Sequence, residues 1–112
     1  MDELLELERQ FWKAGSAFYR EHVAERCLLV FPAMTALLST ADVAATIDNA
    51  ARWQEVDIED MHWLTLSDSV VAMSYVARAD RPGTATYVAR VSSIYIRRDC
   101  EWKLAFHQHT PL

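Results

Sequence analysis

SSIYIRRDCEWKLAFHQHTPL, residues 92–112, holds two β-rich runs that meet at a short polar turn around Asp99-Cys100. Both runs are rich in β-branched and aromatic residues, and the short polar turn between them is a plausible hairpin connection. Three further runs lie upstream: VDIEDMHWLTL, SVVAMSYVARA and ATYVARV, the last continuous with SSIYIRR. The connections SDS, DRPGT and DC are all hairpin-compatible. Four successive antiparallel strands of about ten residues apiece follow, and strands that long twist and curl strongly.

The first half reads differently. Leu4, Leu7, Phe11, Ala14 and Phe18 recur at helical spacing, with Asp2, Glu3 and Glu6 at the positive end of the helix dipole. Gly15-Ser16 weakens this helix midway, and helix ends between His22 and Arg26. CLLVFP then reads as a strand stopped by Pro32, and MTALLS as a return strand. STADVAATIDNAARW announces another helix, capped by Ser39 or Thr40, with Val43, Ile47 and Ala50 as its apolar stripe. Helices followed by a meander sheet make an α+β fold. At 112 residues the chain, 1–112, is expected to form a single domain with one core.

Along residues 87–97 both strand faces are rich in apolar side chains. A sheet with one wet face alternates more cleanly. The opening helices can cover one side only, so the other is expected to meet a second copy, giving a homodimer through the sheet.

Composition excludes several classes. A formal charge of -5 opposes binding to a nucleic-acid backbone, and the acids fall mainly in the helical half. Gly15 and Gly83 are the only glycines, too few and too far apart for a phosphate-cradling loop. The longest apolar run, CLLVFPAMTALL, has twelve residues and is too short to span a bilayer, so no membrane partner is expected. The acidic, amphipathic start MDELLELERQ is unlike a secretory leader. With only Cys27 and Cys100, the expected location is a reducing cytoplasm.

Four segments carry a resemblance: FW (Phe11-Trp12), VFP (Val30-Phe31-Pro32), SSIYIRR (Ser92 to Arg98) and WKLAFHQHTP (Trp102 to Pro111). Together they resemble a SnoaL-like branch of the nuclear transport factor 2-like superfamily, a branch consisting mostly of domains of unknown function. The resemblance extends over nearly the whole chain. It implies a cystatin-like cone: a curved antiparallel sheet wrapped around the N-terminal helices, with a pocket at the open end. Members include ketosteroid isomerases, polyketide cyclases, dehydratases, epoxide hydrolases and plain binding or dimerisation modules, so fold does not settle function. Isomerase-like members carry an Asp base just before a Pro on an early strand. The matching position here is Phe31, which cannot take a proton. Cyclase-like members place an acid on a late strand, yet between Ser69 and Arg98 the only carboxylate is Asp80, in a turn.

Candidate site residues follow. On a regular strand His107 and His109 share a face with Lys103 and Ala105, so Lys103 would repel a cation, and neither His62 nor His22 is placed as a third ligand. No metal and no cofactor is expected, and the histidine pair reads first as part of the sheet or a dimer seam. His107 is the more credible base, with Tyr19 and His22 as helix-borne catalytic alternatives. Trp12, Tyr19 and Trp53 could line an apolar pocket near the mouth of the cone. Arg90, with Ser74 and Ser92 on the same face, would join them if that face proves concave, or else pair with Glu55 or Asp57. Tyr75 and Tyr95 point the other way, unless a β-bulge intervenes. The leading expectation is a protein that binds an apolar or aromatic small molecule. The alternatives are a cofactor-independent isomerase, cyclase or hydrolase, and a homodimerisation module with no ligand.

Overall fold

A computed structural model describes residues 2–32, 34–48 and 52–112. The order is α1 (Asp2–Lys13), α2 (Ser16–His22), β1 (Val23–Phe31), β2 (Met34–Ser39), α3 (Thr40–Asp48), β3 (Glu55–Ser67), β4 (Val70–Asp80), β5 (Tyr87–Arg98) and β6 (Glu101–Pro111). The break at Gly15 falls where the sequence weakens the helix. Strand begins directly at Val23, four residues before the CLLVFP run. Ser39 caps α3, its Oγ accepting the Asp42 N–H at 3.2 Å, while the Thr40 hydroxyl donates to Ala24 O at 2.8 Å and ties the helix to β1. Ala50, placed above in the stripe of α3, lies outside the described residues.

All six strands form one sheet in the order β2-β1-β6-β5-β4-β3. Every neighbouring pair is antiparallel except β1 with β6, which run parallel. The curved sheet wraps around the N-terminal helices in the nuclear transport factor 2-like, cystatin-like manner. Asp99 and Cys100 close the β5–β6 hairpin with φ of 52° and 66°, the positive pair of a type I′ turn. Asp60, at φ 55°, marks an irregularity in β3 between Glu59 and His62.

The helix-facing side of β5 carries Ala89, Val91, Ser93 and Tyr95, each wholly buried. Leu4, Phe11 and Trp12 of α1 and Tyr19 of α2 close the core above them. A second break in register decides what β6 adds. Ile94 pairs with Phe106 but Tyr95 pairs with Leu104, so Ala105 is an extra residue in β6. Before it Leu104 faces the helices; after it His107 and His109 do. The regular-strand expectation that His107 shares a face with Lys103 and Ala105 is therefore corrected. Lys103 lies on the other side of the bulge and donates to Glu21 O.

The outer face is less covered. Leu37, Leu28, Phe106, Ile94, Ala72 and Leu64 are successive register partners across all six strands. They form one apolar row from edge to edge, with Leu37 54% and Leu64 57% exposed.

Candidate functional site

A cavity of about 300 Å³ opens between the helices and the β1–β6 end of the sheet. Phe11, Leu29, Phe31, Val43, Ile47 and Leu104 supply its apolar surface, and Trp12, Tyr19 and Trp53 its larger rings. His107 and His109 stand in its wall, and Arg52 and Arg81 bring the formal charges. No carboxylate is among the described lining residues. Each ring is fixed by its neighbours. Trp12 stacks on His109 with centroids 4.8 Å apart and planes at 11°, and Trp53 stacks on Tyr87 at 5.4 Å. The Arg81 guanidinium lies 4.4 Å above the Trp53 ring. Phe31 packs its edge on His109 at 4.8 Å, so the residue before Pro32 shapes the cavity as an aromatic.

Arg52 acts as a clasp. Its Nε donates to Ala14 O at 2.9 Å and its Nη2 to Trp12 O at 2.9 Å and to the Tyr19 hydroxyl at 3.0 Å. These bonds satisfy carbonyls left open where α1 ends. The Tyr19 hydroxyl in turn donates to Phe11 O, and burial pushes its pKa up to about 12. Tyr19 therefore presents its ring to the cavity while its hydroxyl serves the α1–α2 junction.

Behind the histidines lies a polar cluster. Glu8 of α1 is fully buried. Tyr75 and Ser93 donate to its Oε2, the latter at 2.8 Å, and Tyr95 donates to its Oε1 at 2.6 Å. Trp12 Nε1 donates to the Tyr75 hydroxyl at 2.8 Å. Ser93 Oγ also bonds His107 Nδ1 at 2.7 Å, His107 Nε2 lies 2.8 Å from His109 Nε2, and His109 Nδ1 lies 3.2 Å from the Tyr87 hydroxyl. Desolvation raises the pKa of Glu8, opposed by the three hydroxyl donors. Desolvation lowers His107 to about 4, assisted by the Arg52 charge, and lowers His109 to about 2, assisted by His107. Both imidazoles are thus neutral at pH 7. Burying a carboxylate without partners costs several kcal/mol, which explains why so many donors converge on this one.

The residues singled out above separate into two groups. Trp12, Tyr19, Trp53 and His107 meet at the cavity. Ser74, Arg90 and Ser92 do not, because the helices cover the opposite face of β4 and β5. Ser74 and Ser92 line a shallow depression on the outer face, and Arg90 is exposed there, 3.9 Å from Asp60 rather than paired with Glu55 or Asp57. His22 packs against Phe18 at 4.3 Å and does not join Tyr19 in the wall. Tyr75 and Tyr95 do point inward, towards Glu8. His62 is exposed and 3.0 Å from Asp60, far from any third-ligand role. Among the described residues no group of three or more His, Cys, Asp or Glu side chains could hold a metal ion. Glu8 and Arg52 are absent from the sequence reading. Glu8 was detectable: it lies four residues after Leu4 and three before Phe11, where an apolar stripe would put a hydrophobe.

No protein-family profile matches the chain, and no curated protein does. Solved structures do. A candidate ketosteroid isomerase from Parabacteroides distasonis superposes with a TM-score of 0.81 at 9% identity, covering 97% of this chain and 85% of that one. A nuclear transport factor 2-like protein from Cytophaga hutchinsonii gives 0.80 at 15%, covering 99% and 97%. The association domain of C. elegans CaMKII gives 0.76 at 12%, covering 97% and 90%. These likenesses show the fold, which hosts more than one kind of function.

Proposed function

Starting from the nuclear transport factor 2-like fold, we propose that the protein binds an apolar or aromatic small molecule in the cavity between its helices and sheet. The observation that carries this reading is the lining itself: aromatic and aliphatic side chains surround about 300 Å³, a volume at the lower end of ligand pockets. Two guanidiniums and no carboxylate stand in the described wall, which favours a neutral or anionic ligand over a cation. The test is titration with 8-anilinonaphthalene sulfonate, followed by its fluorescence and by tryptophan quenching. Saturable binding by the native chain, weakened at least tenfold by cavity-filling Ile47→Trp, supports the reading. Undiminished binding by that variant would place the probe elsewhere and remove the support.

The apolar row across the outer face favours a second, compatible role. We infer that two copies pack through their sheets, because Leu28, Leu37 and Leu64 of that row are otherwise left in water. The two thiols, Cys27 buried and Cys100 exposed, suit a reducing cytoplasm.

A further inference from the structure

We infer that Glu8, Ser93, His107, His109 and Tyr87 form a proton relay, with Glu8 as its buried terminus and the Tyr87 hydroxyl as its outer terminus, next to the cavity wall. The relay is equipped to take one proton from, or return one to, water or a hydroxyl compound such as a phenol standing there.

The hydrogen-bond inventory allows two arrangements of the chain. With Glu8 ionised, Ser93 spends its one proton on Glu8 Oε2 and must accept at its oxygen from His107 Nδ1–H. A neutral His107 then has a bare Nε2, which accepts from His109 Nε2–H. His109 Nδ1 is left bare and accepts from the Tyr87 hydroxyl. With Glu8 protonated, every bond reverses. Glu8 donates to Ser93, Ser93 to His107 Nδ1, His107 Nε2–H to His109, and His109 Nδ1–H to Tyr87. Tyr75 and Tyr95 donate to Glu8 in both cases.

The two arrangements differ by one proton. It arrives at Tyr87 Oη as Tyr87 passes its own to His109 Nδ1. His109 passes its Nε2 proton to His107 Nε2, His107 passes its Nδ1 proton to Ser93, and Ser93 passes its proton to Glu8 Oε2. No heavy atom moves, and both rings end neutral with their tautomers exchanged. Tyr87 is half-buried and lies outside the cavity lining, stacked on Trp53 and bonded to His109, both of which are in the wall. A carboxylate with no exposed atom therefore remains connected to a half-buried hydroxyl just outside the cavity wall. That is the disposition of a general acid or base acting through intermediaries.

The charged and titratable groups around this path come from every neighbouring element. Tyr75 of β4, Tyr95 of β5 and His107 of β6 face Glu8, while Tyr19 of α2, Cys27 of β1 and Arg52 lie in the surrounding field. None interrupts the path, and Arg52 opposes imidazolium at His107, so the rings pass protons without holding a charge.

The inference stands without any ligand, and its test needs none. The full chain labelled with nitrogen-15 and carbon-13 is titrated between pH 5 and 9, following the imidazole two-bond correlations and the Glu8 side-chain carboxyl shift. The expected result is one midpoint shared by three signals: Glu8 ionises as His107 turns from Nε2–H to Nδ1–H and His109 from Nδ1–H to Nε2–H. Ser93→Ala, with its amide spectrum confirming the fold, should leave both tautomers constant through that midpoint. Fixed tautomers in the native chain, rings that charge instead of exchanging tautomers, or a Glu8 carboxyl that does not titrate would each overturn the relay. Failure here leaves dye binding untouched, and failed dye binding leaves the tautomer result untouched.

Discussion

His107 Nε2 and His109 Nε2 face each other at 2.8 Å, so exactly one proton sits between the two rings whenever both are neutral. Two imidazolium rings could not share that contact. Burial, assisted by the Arg52 charge at His107 and by His107 at His109, holds His107 at about 4 and His109 at about 2, below the ordinary 6.5. A histidine with a depressed folded pKa binds fewer protons folded than unfolded. Its stabilising contribution is complete above the unfolded pKa and is lost as pH falls from 6.5 towards the folded value. Glu8, raised above 4.5, works in the opposite sense and loses stability as pH rises above 4.5. Urea unfolding across pH 4.5–7 should show stability falling as pH falls. His109→Gln should flatten that fall, and Glu8→Gln should steepen it.

Glu8 is the sole acceptor described for the hydroxyls of Tyr75 and Tyr95. Glu8→Ala leaves these donors buried and opens a void beside Ser93. Unsatisfied buried donors cost about 1–3 kcal/mol each, so a loss of roughly 3 kcal/mol or more is expected in denaturant titration. Glu8→Gln keeps the volume and an acceptor, and should lose clearly less.

Phe106 occupies the middle of the outer apolar row, flanked by Leu28 and Ile94. If two sheets pack there, Phe106→Glu puts like charges face to face across the two-fold axis. Light scattering should report twice the 12.8 kDa chain mass for the native protein and the single chain mass for the variant. A native protein that runs as a monomer at micromolar concentration removes the dimer from the account.

Cys100 adopts φ 66°, a conformation that side chains with a Cβ reach at a cost of about 1–2 kcal/mol. Cys100→Gly relieves it and should raise the unfolding free energy by roughly 0.5–1 kcal/mol, part of the gain being offset by glycine's freedom in the unfolded chain. Alanine at the same position should show no such gain.

The α+β order, the break at Gly15, the stop at Pro32 and the hairpins were legible because each rests on local chemistry: periodicity, a cap, a missing N–H, a turn residue. So were three of the ring-bearing wall residues, Trp12, Tyr19 and Trp53. Face assignment across β4 and β5 was legible only in part. Period-2 alternation separates Tyr75 and Tyr95 from Ser74, Arg90 and Ser92, yet it does not say which set the helices cover. Glu8 escaped for a different reason. A carboxylate in an acidic helix resembles its solvated neighbours, and only the convergence of Tyr75, Ser93 and Tyr95 from distant strands distinguishes it. Arg52 likewise gains its role from carbonyls at the end of a helix some forty residues earlier.

Ala105 is a small residue on whose placement the facing of the β6 histidines depends. Because it is held out of the pairing in β6, the residues after it keep the facing they would have if it were absent, with two imidazoles inward and Phe106 out. Were Ala105 paired in regular alternation instead of held out of register, every group of the relay would remain in the chain while His107 and His109 turned to the outer face. Whether a relative of this protein keeps the same chemistry is thus a question of strand register before it is a question of identity.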